Sequence, residues 1–598
     1  MDRQAWIAIS LCVLAFFGYE VYLTRYAPRT PIPTAATASP TPGPSATPTA
    51  FPSPGASPAA GAGSPAASPG PSAPPIETFA EKTEPLRNDD VELRLTNKGG
   101  GIRDARLLHH AAEHGQGEIV LNAAEQLPIG AIIEDPNAPA LREFTLARQP
   151  DGSVQLERHT AEGITIRQRF SFPPPQGTKD NYAVEMRVEF RNDGAVAYKN
   201  PGYFVALGST QPLHPRDLPT YTRLVWCING SAKSTDVNWF GAQKYPVVGV
   251  EKRAAQSVFQ QKVDGAEWGA MSNQFFATIV TALNSKADQM WARRFDLPQP
   301  DAAPPLYGIE GAMGMPAFDL QPGQSNTQSF QIYAGPKLYH RLSKFGHDES
   351  EIMNFGIFKL VSQALLNFLN LIHGLVRNYG VAIILLTACV KGVLWPLQNK
   401  ANKSMRRMSA LAPRMQELKE KYKDDPTKMN TEVMKLYKEH GVNPVGGCLP
   451  MMIQIPIFFG LFSMLGQAAE LRNAHFLWVH DLSQPDTLFV IPGLGWIPFL
   501  GNAARGLPVN ILPLFMGATN IWLMRMTPNT GDAMQRRMMM FMPLIFLVFC
   551  YNFAAALALY YTTQNLFTIL QLWQNKRQPV PVLAPATPVG KRGKKGKS

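Results

Sequence analysis

Residues 379–397 read Tyr-Gly-Val-Ala-Ile-Ile-Leu-Leu-Thr-Ala-Cys-Val-Lys-Gly-Val-Leu-Trp-Pro-Leu, an apolar run long enough to cross a bilayer with a single charge, Lys391, inside it. A cation at that depth costs roughly 2.5 to 3.5 kcal/mol on insertion scales, so its presence points to function. The competing reading is snorkelling. Lys391 precedes Leu397 by about 9 Å at the helical rise, and a four-carbon stem covers part of that distance.

Further apolar runs follow at 449–469, 509–524 and 538–575, the last long enough for two spans joined by a tight turn near 552–556. Upstream, residues 5–23 are apolar, with Glu20 at the far end and no clear small-x-small cleavage pattern, so 1–24 reads as a retained anchor. Six spans result, the last five at 379–397, 441–469, 508–526, 537–553 and 556–575. Between the first span and the rest, residues 25–75 are almost entirely Pro, Ala, Ser, Thr and Gly, a tether that cannot bury a core. The five cysteines are scattered and show neither a disulfide framework nor zinc spacing.

Orientation follows from where Lys and Arg collect. Residues 398–440 hold 11 of them and 525–537 hold 3, whereas 470–507 hold only Arg472 and Arg505. The tail 576–598 is also basic, ending in Lys591-Arg592-Gly593-Lys594-Lys595, and suits phosphate surfaces such as RNA or anionic lipid head groups. The basic segments are therefore placed in the cytoplasm with both termini, and residues 76–344 and the loop 470–507 on the outer side. Arg25 and Arg29 run against this pattern locally.

The outer region reads as strands. Tyr182, Val184, Met186, Val188 and Phe190 alternate with polar residues up to Asn192-Asp193-Gly194; Val91, Leu93 and Leu95 alternate before Gly99-Gly100-Gly101; and Pro150-Asp151-Gly152 joins two more such runs. An antiparallel sandwich is expected. His109, His110 and His114 lack a carboxylate at metal-binding spacing and read as surface residues. Residues 345–378 carry an apolar helix, over 355–377, suited to the outer membrane interface or to packing on protein.

The segment 398–440 shows Met405, Met408, Leu411, Met415, Leu418 and Tyr422 at helical spacing, then Asp424-Asp425-Pro426, then Met429, Val433 and Leu436, which predicts a helical hairpin. Its methionines suit either an adaptable docking face or packing between the two arms. Within the spans, Thr387, Gln454, Thr519, Gln564, Asn565, Tyr560 and Tyr561 each need a partner or water. The last five spans contain no acidic residue to pair with Lys391, and a hydrated cavity would keep it charged.

The run Asn443-Pro444-Val445-Gly446-Gly447-Cys448-Leu449-Pro450, continuing through Gln454-Ile455-Pro456-Ile457-Phe458, resembles the third span of the YidC membrane protein insertases, relatives of the mitochondrial Oxa and chloroplast Alb proteins. Glu470-Leu471-Arg472, His480-Asp481-Leu482-Ser483, Phe541-Met542-Pro543 and Leu559-Tyr560-Tyr561 extend the resemblance in the same order, and the anchor, tether and large outer domain are similar to the Gram-negative form.

The resemblance implies a polytopic α-helical membrane protein of six transmembrane helices, five forming the core, plus an all-β periplasmic sandwich domain in the bacterial inner membrane. It further implies a non-enzymatic insertase and chaperone for integral membrane proteins, acting alone or with the Sec translocon. A hydrophilic groove, closed towards the outside, would hold one cation that receives the polar tail of the incoming chain. Lys391 falls at that cation's position, where the family usually has arginine; a lysine keeps the charge but lacks the fork for bidentate carboxylate binding. By the same match Thr387, Gln454, Ile455, Phe458, Tyr560 and Tyr561 would line the groove or touch the client. Met405, Met408, Met415, Lys591, Arg592, Lys594 and Lys595 would recruit nascent membrane proteins or the ribosome, and anionic lipids would be further partners. No DNA partner, cofactor or metal is implied. A transporter would predict paired internal repeats, of which there is no convincing sign. An intramembrane hydrolase would need a His or carboxylate beside Ser463, and these spans have neither.

Overall fold

The computed structural model describes residues 79–577, apart from 113–116, 125, 139–140, 174–180, 216, 245–250, 300–304, 441, 443–448, 498–499, 502–505 and 528–532. The anchor 1–24, the tether 25–75, the start of the Asn443–Pro444 motif and the basic residues 591–595 lie outside the described residues.

Residues 83–336 form a β-rich region. A nine-stranded sheet is antiparallel throughout, with Ala183–Asn192 paired to Ile164–Ser171 on one side and Ser325–Pro336 on the other. The expected alternation places Val184, Met186, Val188 and Phe190 inside, each at most 1% exposed, while Glu185 and Arg187 face out. A five-stranded sheet packs on its inner face. The sheets approach closely where Gly311 meets Met271: a Cβ on Gly311 would lie 2.8 Å from the Met271 sulfur, so any larger residue here must displace that side chain. A four-stranded sheet begins the region, and its strand Val91–Thr96 buries Val91, Leu93 and Leu95 as the alternation requires.

Among the described residues a four-residue helix, Tyr339–Leu342, and then eight longer ones follow. The longer ones are α1 (Lys359–Val376), α2 (Tyr379–Ala410), α3 (Ala412–Lys421), α4 (Pro426–Glu439), α5 (Leu449–Leu465), α6 (Ile511–Met526), α7 (Ala533–Cys550) and α8 (Ala555–Lys576). Helix α8 runs between α2 and α6 and touches α5, while α1 lies along α2 and α5. The contact of α1 with α5 is close: the Ser362 hydroxyl donates to the Gly460 carbonyl at 2.9 Å, where glycine leaves room for the approaching backbone. Between α5 and α6 the chain makes a β-hairpin, Thr487–Ile491 paired with Leu507–Asn510, that the sequence pattern did not announce.

Several expected boundaries move. Residues 345–358 are not helical in the expected way: they carry two 3₁₀ turns, Glu349–Met353 and Gly356–Phe358, the first buried against the β-rich region, and α1 begins only at Lys359. Helix α1 buries Leu365, Leu366, Leu369 and Ile372 on protein and leaves Leu360, Leu371 and Leu375 exposed. Residue 398 is no boundary either, because nothing in 398–410 breaks the helix and α2 continues to Ala410. The first arm of the hairpin then breaks at Leu411, where Pro413 in the next turn has no N–H to continue the α2 ladder. The two arms that pair are thus α3 and α4. Among the described residues only α2 is by itself long and apolar enough to cross a membrane; α5 and α6 have 17 and 16 residues, and α8 has 22 with several amides and hydroxyls.

Candidate functional site

Helix α2 begins cleanly because the Asn378 side chain accepts from the Val381 N–H at 3.0 Å, capping its first turn. Three turns on, Lys391 points inward and is only 5% exposed. Its Nζ donates to the Thr568 hydroxyl of α8 at 3.0 Å. That hydroxyl gives its own proton to the Gln564 carbonyl at 2.8 Å, which leaves a lone pair directed at the ammonium. Among the described residues no carboxylate lies within ion-pair distance of Lys391. A neutral hydroxyl satisfies one of its three donors.

The seam between α2 and α8 continues as a ladder. Gln571 Nε2 donates to Asn399 Oδ1 at 2.8 Å and to the Trp395 carbonyl at 3.2 Å, Asn575 Nδ2 donates to Asn399 Oδ1 at 3.1 Å, and Arg406 Nη1 reaches the Asn575 carbonyl at 2.7 Å. Helix α8 also presents polar groups to its other neighbours. Gln454 Nε2 of α5 donates to Gln564 Oε1 at 2.8 Å and to the Tyr560 hydroxyl at 3.3 Å, and Asn565 Nδ2 donates to the Thr519 hydroxyl of α6 at 3.2 Å.

Beside this polar spine stands an aromatic cluster. The Tyr561 ring lies 5.4 Å from Phe458 of α5 and 5.1 Å from Phe546 of α7, and Phe458 stacks towards Phe462 at 6.2 Å. Tyr561, Phe458 and Ile455 are half-buried, whereas Tyr560 is buried. One wall of the helical assembly therefore offers neutral amides, hydroxyls and a cation, and the adjoining wall offers aromatic surface. Such a site can exchange hydrogen bonds with a polar peptide while an apolar one slides past.

Lys391, Gln454, Phe458, Tyr560 and Tyr561, expected as site residues, are brought together around α8. Thr387, one turn before Lys391, is 1% exposed, and its hydroxyl donates to the Ile383 carbonyl of its own helix at 2.7 Å. Met415 is buried between α3 and α4, where it accepts from the Tyr437 hydroxyl, while Met405 and Met408 are half-buried. In the β-rich region His109 faces Asp90 at 3.5 Å and His110 lies 3.2 Å from the Tyr182 hydroxyl, and no metal-holding group occurs among the described residues. Thr568, Gln571, Asn575 and Asn399 were missed from sequence. Their signal is the 4-3-4 spacing of Gln564, Thr568, Gln571 and Asn575, a polar stripe on one helix face.

Comparison with known proteins covers both regions. The family model described as the YidC periplasmic domain matches residues 85–368, and that described as the 60Kd inner membrane protein matches residues 371–580. A Geobacter sulfurreducens protein named membrane protein insertase YidC is 30% identical over 591 residues, 96% of this chain and 98% of the relative. A protein of the same name from Geobacter sp. strain M21 is 31% identical over 490 residues, 80% of this chain and 82% of the relative. One from Syntrophobacter fumaroxidans is 42% identical over 262 residues, covering 43% of this chain and 46% of the relative.

Proposed function

Because this chain belongs to the YidC family of membrane protein insertases, inner-membrane proteins with a periplasmic domain, we propose that it inserts integral membrane proteins through the polar site around Lys391. It is not an enzyme, and its clients are nascent membrane proteins. The observation that carries the site is a buried lysine whose acceptor, Thr568, is neutral. A carboxylate adds a Coulombic attraction to the ammonium that a neutral hydroxyl does not supply, so an acidic residue on an incoming tail outcompetes the Thr568 hydroxyl. Gln454, Tyr560, Gln564 and the α2–α8 ladder then give the tail successive partners, while the Phe458–Tyr561 cluster guides the client's apolar segment towards lipid. Burial of that segment drives completion without a nucleotide.

Six spans, with both termini cytoplasmic, support this route. The charge distribution favours that orientation. Helices of 16 to 18 residues, as in α5, α6 and α7, give roughly 24 to 27 Å, less than the hydrocarbon thickness of about 30 Å. A bilayer drawn thin around them shortens the polar segment's path. Helix α2, about 48 Å long by its 32 residues, projects beyond the bilayer and carries its last turns into the cytoplasm. There α3, α4, Met405, Met408 and the basic residues 591–595 recruit ribosome-held chains and anionic lipid, and the chain acts alone or with the Sec translocon.

Site-specific photocrosslinking from Phe458 and Tyr561, with a ribosome holding a short membrane-protein nascent chain, tests the route. Adducts that require the client's apolar segment are expected. Absence of adducts from both positions would remove the aromatic wall from the mechanism.

A further inference from the structure

The hairpin between α5 and α6 carries an apolar surface that the insertion route does not use. Leu488, Phe489 and Trp496 are 52%, 58% and 74% exposed, and residues 487–501 contain no charge. Its base, by contrast, is held rigidly. Asn510, fully buried, accepts from the Thr487 hydroxyl at 2.7 Å and donates to the Tyr551 carbonyl at 2.7 Å, and the Tyr551 hydroxyl donates to the Pro508 carbonyl at 2.7 Å. Asp486 accepts from the Leu512 N–H at 2.6 Å and from the Trp478 ring N–H at 3.2 Å. These bonds tie the hairpin to the level where α6 begins and where α7 turns into α8. The apolar residues are thus presented in a fixed direction, at the end of three helices.

We propose that this hairpin is a membrane anchor seated in the outer leaflet at the boundary of head groups and acyl chains, with Phe489 and Trp496 as its lipid contacts. The proposal rests on the spanning arrangement proposed above. Lipid, and no protein partner, is the occupant because residues 487–501 carry no charge and α6, which follows the second strand directly, exposes Leu514 and Phe515 as well. Depth follows from the backbone: a two-stranded ribbon leaves unpaired N–H and C=O groups on both edges, which the hydrocarbon centre cannot satisfy. Tryptophan favours the interface, where its ring meets lipid and its N–H meets water.

The test places an environment-sensitive fluorophore on a single introduced cysteine, W496C, I545C or V196C, in the full chain with its native cysteines replaced and reconstituted into phosphatidylethanolamine–phosphatidylglycerol vesicles. Ile545 is an exposed mid-helix position of α7, and Val196 an exposed position of the β-rich region. The label at 496 is expected to lose most of its emission to lipids brominated near the glycerol end of the acyl chain, and less to lipids brominated near the methyl end. The label at 545 should show the reverse order and that at 196 neither. Quenching at 545 with none at 496 overturns the anchor alone, whereas loss of quenching at 545 as well overturns the spanning arrangement. Disulfide formation between copies at 496 would also overturn the lipid assignment. If cysteine replacement prevents folding, intrinsic fluorescence of the native chain and Trp496→Phe with the same brominated lipids decides: the variant must lose a lipid-quenchable component.

Discussion

Lys391 meets one hydroxyl inside the helical assembly, and its role can be tested directly. Lys391→Ala removes the cation and should reduce insertion of clients with acidic translocated tails by roughly the 1.5–3 kcal/mol of a hydrogen bond to a charged group, while clients with neutral tails change little. Equal insertion of every client, measured by protease protection, would dismiss the electrostatic role. A second buried lysine lies outside the helical assembly. Lys337 is fully buried in the β-rich region, its Nζ donating to the Asn273 carbonyl at 2.8 Å. Burial first, and the nearby Arg223 second, hold its ammonium well below the usual lysine range. The folded protein therefore releases this proton at lower pH than the unfolded chain, so stability rises with pH across the window that ends near the ordinary lysine value of about 10.4. Lys337→Met, close in volume, should raise the melting temperature near neutral pH, and the gap from the native chain should shrink as pH increases. A gap independent of pH would mean that folding leaves the proton affinity of Lys337 unchanged.

At the scale of elements, α8 is the organising piece, since its polar stripe meets α2, its Tyr560–Gln564 edge meets α5 and Asn565 meets α6. Gln571→Leu deletes two interhelical bonds, to Asn399 and to Trp395. Such bonds average about 0.6 kcal/mol each within membranes, so a loss of about 1 kcal/mol in detergent unfolding is expected, with larger effects on insertion if the ladder hands on the client. The helices were legible where apolar runs and breakers are local, as at Asp425-Pro426, where Asp425 caps α4, but the cap at Asn378 and the break before Pro413 were not read. The hairpin 487–510 was not legible, because its Pro and Gly residues read as loop and its register depends on Asn510 meeting Tyr551 across 41 residues.

Across the whole molecule, the β-rich region is bonded to the outer end of α5. Gln274 Nε2 donates to the Gly466 carbonyl at 2.9 Å, Arg223 Nη2 donates to Gln467 Oε1 at 3.2 Å and to the Ile352 carbonyl at 3.0 Å, and Arg472 Nη1 donates to the Ala111 carbonyl at 2.6 Å. A helix C-terminus leaves carbonyls unpaired and carries partial negative charge, so side-chain donors from the sheet complete it. Gln274→Leu should leave the Gly466 carbonyl unsatisfied and lower protection there by about 1–3 kcal/mol, read as faster amide hydrogen exchange over residues 464–472. Unchanged exchange would show that the regions are joined by chain connectivity alone. The sequence by itself determined which segments are apolar, where strands alternate and that one lysine sits inside an apolar run, because hydrophobic period and charge placement are properties of short windows. Which groups satisfy that cation was decided by the tertiary structure alone. Thr568 lies 177 residues from Lys391, and only the packing of α8 against α2 brings its lone pair to the ammonium.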